Sequence, residues 1–117
     1  MTAVAVSFVV PTRGRIEQVA DLLRSIAAQT IAAEALVMDD GESGELKHVL
    51  ARDFPWVRYH RVATGRGPAF QRNRGIELAG GEIVFPLDDD TRLPSPLTVA
   101  QTLADFSDPG VAPRAVP

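Results

Sequence analysis

Apolar positions along this chain change their spacing several times, and each change marks an element. Residues 4–10 (Val-Ala-Val-Ser-Phe-Val-Val) form a nearly unbroken apolar run. A run without alternation predicts a central strand buried on both faces. Proline cannot donate to a ladder, so Pro11 is expected to end that strand and to leave Thr12-Arg13-Gly14-Arg15 as a loop. From Ile16 the spacing turns helical. Ile16, Val19, Ala20, Leu23, Ile26 and Ala27 share one face, which predicts a helix to about Gln29. Residues 35–38 read as a second short strand, ending at Asp39-Asp40-Gly41. Leu46, Val49 and Leu50 mark a second helix that stops before Pro55. Residues 56–62 are rich in strand formers but carry Arg58, His60 and Arg61, which suits an outer strand.

Gly65-Arg66-Gly67-Pro68 is a turn cluster. Residues 69–79 read as a third helix with Phe70, Ile76 and Ala79 toward the core, stopped by Gly80-Gly81. A fourth apolar run, Ile83-Val84-Phe85-Pro86-Leu87, leads directly into Asp88-Asp89-Asp90. Ser95-Pro96 has the signature of a helix cap followed by proline at the first helical position. Leu97, Ala100, Leu103 and Ala104 then face inward on a helix ending near Phe106. Residues 107–117, with three prolines and one glycine, read as an irregular tail. The order β-α-β-α-β-α-β-α predicts an α/β fold over residues 1–106, a mostly parallel sheet with helices on both faces.

Composition narrows what such a domain does. At 117 residues a single domain is expected. There are no cysteines, which removes disulfides and thiolate metal sites. A net charge of −3 lacks the basic footprint of a nucleic-acid binder. The apolar stretch at residues 3–10 is too short for a bilayer, and no basic segment precedes it as in a signal peptide. No membrane segment and a cytoplasmic location are therefore expected. Eleven of the twelve basic residues are arginine; its planar fork matches phosphate, so the place where arginines gather matters.

Three of the four predicted strands end in chemically marked residues, and in a parallel sheet those ends share an edge. Asp88, Asp89 and Asp90 repel one another. A hard divalent cation, Mg²⁺ or Mn²⁺, would offset that with oxygen ligation; the plainer alternative is an acidic surface turn. Asp39-Asp40-Gly41 alone is a turn signal, and Arg13 and Arg15 alone are a solvated loop. Residues 65–75 place three arginines around a glycine-rich turn that opens a helix, either an anion site or a solvated basic face. His48 and His60 show no partner pattern and are expected to be exposed or capping. A carboxylate cluster, an arginine-rich anion site and marked strand ends on one edge together suit a nucleoside diphosphate with a divalent cation.

The chain also resembles a known family. Residues 6–15 (Val-Ser-Phe-Val-Val-Pro-Thr-Arg-Gly-Arg), 25–30 (Ser-Ile-Ala-Ala-Gln-Thr) and 37–41 (Val-Met-Asp-Asp-Gly) look like the start of a family 2 glycosyltransferase of the GT-A fold. Residues 67–76, Gly80-Gly81-Glu82 and Leu87-Asp88-Asp89-Asp90 continue the likeness in register to about residue 109. The resemblance implies a nucleotide-sugar-binding half in which Pro11, Thr12, Arg13, Asp40 and Asp39 hold the nucleoside. It also implies that Arg72, Asn73 and Arg74 lie near the nucleotide. Asp88 and Asp90 would then serve ribose and metal, with Asp89 a rival for metal ligand. The family continues into strands that bind the acceptor and supply the catalytic base. This sequence carries no Asp or Glu after Asp108, so the acceptor half and the base are expected to be missing and no catalytic residue is assigned. The expected partner is a nucleoside-diphosphate sugar, and self-association through an uncovered sheet edge is a further expectation.

Three functions compete at this level. The first is the donor-binding portion of a glycosyltransferase. The second is a nucleotide-binding module or remnant with no transfer of its own. The third is a receiver-type signalling domain, which fits poorly: the first strand ends in Pro-Thr-Arg-Gly-Arg and the sole lysine is Lys47. A dinucleotide-binding domain lacks its glycine fingerprint after Val10.

Overall fold

A computed structural model of the chain describes residues 6–62 and 66–106. Strands and helices alternate as β1 (Val6–Thr12), α1 (Ile16–Ala27), β2 (Ala33–Asp39), α2 (Glu45–Asp53), β3 (Arg58–Arg61), α3 (Gly67–Leu78), β4 (Ile83–Pro86) and α4 (Thr98–Phe106). The first two residues of the expected first strand, Gly65 of the turn cluster and the tail at 107–117 lie outside the described residues. The strands form one sheet in the order β3-β2-β1-β4, and every neighbouring pair is parallel. The α/β architecture expected from the alternation is therefore present.

Alternation along the strands assigns the two faces. Phe8 and Val10 of β1, Val37 of β2 and Phe85 of β4 pack with Val19, Leu22, Leu23 and Ile26 of α1, Leu46 and Leu50 of α2, and Val99 of α4. Phe8 and Phe85 stack with ring centroids 5.3 Å apart. On the other face Val9, Leu36 and Met38 lie against Phe70, Ile76 and Leu78 of α3. Helices thus cover both faces.

At the start of the strands a polar network ties four segments together. Glu34 of β2 accepts from Ser7 Oγ of β1, from the Gly80 N–H and from Arg58 Nη1 of β3. The Gly81 N–H donates to Ser7 Oγ at 2.8 Å, and Arg58 Nη1 also donates to the Leu78 carbonyl at 3.0 Å.

Several element ends differ from expectation. Pro11 does not end β1; the strand runs through it to Thr12, opposite Asp39. The reason lies in the pairing. The Leu87 N–H donates to the Val9 carbonyl, so odd-numbered residues of β1 turn their polar groups toward β4. That strand's pairing with β1 ends at Val9↔Pro86, so the missing N–H of Pro11 faces a side where no ladder bond is required. Strand β2 begins at Ala33, two residues before the expected start, and includes Asp39. Helix α1 stops at Ala27, with Ala28 closing its last turn. Gln29 instead joins α1 to the start of α4, donating to Ser25 and Ser95 carbonyls and accepting from the Val99 N–H. Ser95 closes a turn ahead of α4 and is not its first cap: its Oγ accepts from the Leu97 N–H at 3.0 Å, and the helix begins only at Thr98. Leu97, Ala104 and Ala27, expected inside, are exposed, while Leu22 and Val99 are buried in their place. Helix α4 begins at Thr98, two residues after the expected first helical position at Pro96, so Leu97 lies ahead of it.

Candidate functional site

The C-terminal ends of β1, β2 and β4 open into one cleft of about 390 Å³. Pro11, Thr12, Arg13 and Arg15 line it from the end of β1, Asp40 from the end of β2, and Asp88, Asp89 and Asp90 from the end of β4. Gly67, Pro68 and Gln71 close it from the first turns of α3. Parallel strands and a doubly wound sheet put these ends on one rim, where open α/β sheets bind ligands. Gly67 enters α3 with φ +84°, in the left-handed region that a residue with a side chain rarely adopts.

The three aspartates after β4 are not equivalent. Asp89 is buried and its carboxylate is engaged: Oδ2 accepts from Thr12 Oγ1 at 2.9 Å and Oδ1 from Arg15 Nη1 at 3.1 Å. Asp88 and Asp90 are exposed, and neither side chain takes a hydrogen bond or ion pair among the described residues. Successive residues diverging from a strand end point to different sides, which is how one of three is drawn inward while its neighbours meet the cleft. On the opposite wall Asp40 is 3% exposed, and its Oδ1 is buried with no hydrogen-bond partner. A buried carboxylate oxygen without a donor is costly, and this one has almost no accessible surface, so a ligand would meet it only after the side chain turns.

Gln71 fixes the floor. It is buried, and its Nε2 donates to the Thr12 carbonyl at 2.9 Å and the Met38 carbonyl at 2.7 Å. The Asp40 N–H donates to the same Thr12 carbonyl at 3.1 Å. Sequence reasoning passed over Gln71 in favour of the charged residues beside it. Arg15 and Pro68 likewise line the cleft without having been placed among the expected ligands.

Four expected nucleotide ligands are not on the cleft wall. Asp39 is fully buried, accepting from the Gly41 N–H at 2.8 Å and from the Tyr59 hydroxyl at 2.7 Å. Burial, followed by the hydrogen bond and charge of Asp39, pushes the Tyr59 hydroxyl up to about 12, so it stays a donor. Arg72, Asn73 and Arg74 are exposed on α3. Arg74 pairs with Glu77 at 2.9 Å and borders a separate hollow between α3 and the end of β3. His60 shares that hollow. It is half-buried rather than exposed or capping, and burial together with Arg58 and Arg74 holds its imidazole below the usual range, in the neutral form.

The donor set of the cleft suits a hard cation only in part. No group of three or more His, Cys, Asp or Glu among the described residues forms a self-sufficient metal site. Two exposed carboxylates do fit Mg²⁺ or Mn²⁺ in their usual mode, in which one or two side chains bind the ion and substrate phosphates and water complete its shell.

Residues 7–112 match the sequence model of glycosyl transferase family 2, and the chain belongs to that family. Solved structures agree on the fold. The first 349 residues of S. aureus TarS superpose with a TM-score of 0.78 at 23% identity, over 89% of this chain and 32% of that one. TarS solved with UDP-GlcNAc gives 0.76 at 25% identity, over 89% of this chain and 31% of that one. The mannosyltransferase PcManGT of Pyrobaculum calidifontis, solved with GDP-Man and Mn²⁺, gives 0.76 at 26% identity over 93% of this chain and 34% of that one. The chain thus spans about a third of the length of these structures and carries the fold of the GT-A glycosyltransferases. No curated protein gives a significant sequence match. No helix among the described residues is long and apolar enough to cross a membrane.

Proposed function

We propose that the cleft binds a nucleoside-diphosphate sugar with a divalent cation, as the donor-binding portion of a glycosyltransferase. One observation carries this reading. Two exposed carboxylates that take no partner among the described residues, Asp88 and Asp90, line one cleft together with Arg13, Arg15 and Asp40. A diphosphate neutralised in part by a cation and in part by arginine suits that lining. Family membership and the nucleotide sugars held by TarS and PcManGT support the same ligand class.

The residues divide the work by chemistry. Asp40, with Pro11 and Thr12 beside it, suits the nucleoside. Arg13 and Arg15 offer guanidinium forks to phosphate oxygens. Asp88 and Asp90 would hold Mg²⁺ or Mn²⁺, which when bound stabilises the charge on a leaving diphosphate as a Lewis acid. Asp40, Asp88 and Asp90 thus have binding tasks and Asp89 is held by Thr12 and Arg15, so none of the carboxylates on the cleft wall is free to deprotonate an acceptor hydroxyl. The tested chain by itself is therefore expected to bind donor without efficient transfer, which is the second reading, that of a nucleotide-binding module.

Titration calorimetry with UDP and GDP, each with and without Mn²⁺, tests the proposal. Binding of either diphosphate that strengthens by about tenfold or more with Mn²⁺ is the expected result, since coordination through two carboxylates contributes more than 1.4 kcal/mol. Asp88→Ala and Asp90→Ala should each remove that increment. Failure of both diphosphates to bind in Mn²⁺ would overturn it. Parent-like binding by Asp90→Ala would transfer the ligand role to Asp89.

A further inference from the structure

Asp89 is the acidic residue that the donor reading leaves without a task, and its surroundings suggest one. Both of its partners come from the other side of the cleft floor. Thr12 closes β1 and Arg15 follows it, 77 and 74 residues away in sequence. The backbone ladder between β1 and β4 reaches only Val9↔Pro86, extended by the bond from the Leu87 N–H to the Val9 carbonyl. Beyond it, the turn that carries the aspartates has one internal bond, from the Thr91 N–H to the Asp88 carbonyl. The Asp89 side chain is what links this turn to β1 past the end of the ladder.

We propose that Asp89 is a positioning residue: through Thr12 and Arg15 it anchors the turn at 88–91 so that Asp88 and Asp90 present their carboxylates to the cation. The inference rests on the donor reading above and deepens it. Groups that orient a metal ligand without touching the metal change its affinity when removed, commonly by about 10–100-fold. Arg15 adds a second effect. Its guanidinium lies 3.1 Å from Asp89 and offsets part of the repulsion among three adjacent carboxylates, so the turn holds its shape before any cation arrives. Thr12 extends the linkage, since its carbonyl accepts from both Gln71 and the Asp40 N–H. The hydroxyl of one residue thus steadies the metal side while its carbonyl steadies the nucleoside side.

The rival assignment makes Asp89 itself a metal ligand, which parent-like Mn²⁺ binding by Asp90→Ala would favour; Thr12→Val tests the anchor. Thr12→Val removes the hydroxyl and frees a carboxylate oxygen of Asp89. If the anchor matters, its release weakens Mn²⁺ binding; if the turn keeps its shape without it, Mn²⁺ affinity stays at the parent level. Mn²⁺ affinity is read by electron paramagnetic resonance of the free ion in excess UDP and, in parallel, excess GDP. The parent is compared with Thr12→Val, Thr12→Ser and Asp89→Asn. Circular dichroism establishes that each is folded at the measuring temperature, and Thr12→Ala replaces Thr12→Val if valine there does not fold. We expect Thr12→Val to weaken Mn²⁺ binding by about tenfold, Asp89→Asn to weaken it also, and Thr12→Ser, which keeps the hydroxyl, to restore it. Parent-like or tighter Mn²⁺ binding by folded Thr12→Val overturns the proposal. A parent that binds no Mn²⁺ with either diphosphate fails the donor reading, and this inference with it.

Discussion

Gln71 carries two buried backbone carbonyls on one amide nitrogen, and nothing else among the described side chains donates to them. Replacing it by leucine, of similar length, removes the side-chain donor from both carbonyls, although that of Thr12 keeps the Asp40 N–H. The expected cost is about 0.5–1.5 kcal/mol, the net contribution of an ordinary hydrogen bond, read as a lower urea midpoint with unchanged slope. Nothing in the sequence singled this residue out. Its partners lie 59 and 33 residues away, so no local period or spacing encodes the contact, and the charged residues on either side drew attention instead. The aspartates show the complementary case. Their type and place at a strand end were legible, because composition and the end of an apolar run are local facts. Which of the three turns inward was not, because Thr12 and Arg15 decide it from another strand.

At the scale of elements, α3 shows why some helices resist reading. Its apolar residues do not make a single stripe; the face it turns to the sheet includes Gln71 and Gly75, its two buried positions. Gly75 sets the distance of approach. A Cβ there would overlap Val9 Cγ1 and come within 3.1 Å of Met38 Cγ. Gly75→Ala should therefore push α3 off β1 and β2, outweighing alanine's better helix propensity. Overpacking of this kind costs about 1–3 kcal/mol, which for a domain of this size lowers Tm by roughly 5–15 °C. Strands were more readable than helix ends. The runs ending at Val10, Met38 and Leu87 show as strands because both faces of the sheet are covered and no polar alternation interrupts them. Helix ends were less so: α1 stops two residues early where Gln29 is used to grip α4, a tertiary choice.

For the molecule as a whole, the two rims of the sheet do different jobs. One holds the cleft and the other holds the network around Glu34. Burial raises the Glu34 carboxyl, but donation from Ser7, the Gly80 N–H and Arg58 outweighs it, so the group sits below the usual value of 4.5. A depressed folded value means stabilisation that is complete above about 4.5 and is lost as pH falls through the folded value. Glu34→Gln should reduce unfolding free energy at pH 7 by about 1–3 kcal/mol, as for a hydrogen bond to a charged group. The gap between variant and parent should narrow below pH 4.5. Urea denaturation of both proteins from pH 7 down to pH 3 measures it; a gap independent of pH would assign the network to packing alone.

The strand order also has a meaning in time. Synthesis delivers β1, β2 and β3 first, and these can already lie side by side in their final order. Strand β4 joins on the opposite flank of β1, and with it come Asp88, Asp89 and Asp90. Until then β1 keeps one bare flank, Thr12 and Arg15 have no carboxylate to hold, and Asp40 faces half a site. A growing chain thus lays down three of these four strands before the aspartates of the cleft emerge, and β4 is the one that turns a sheet into a receptacle.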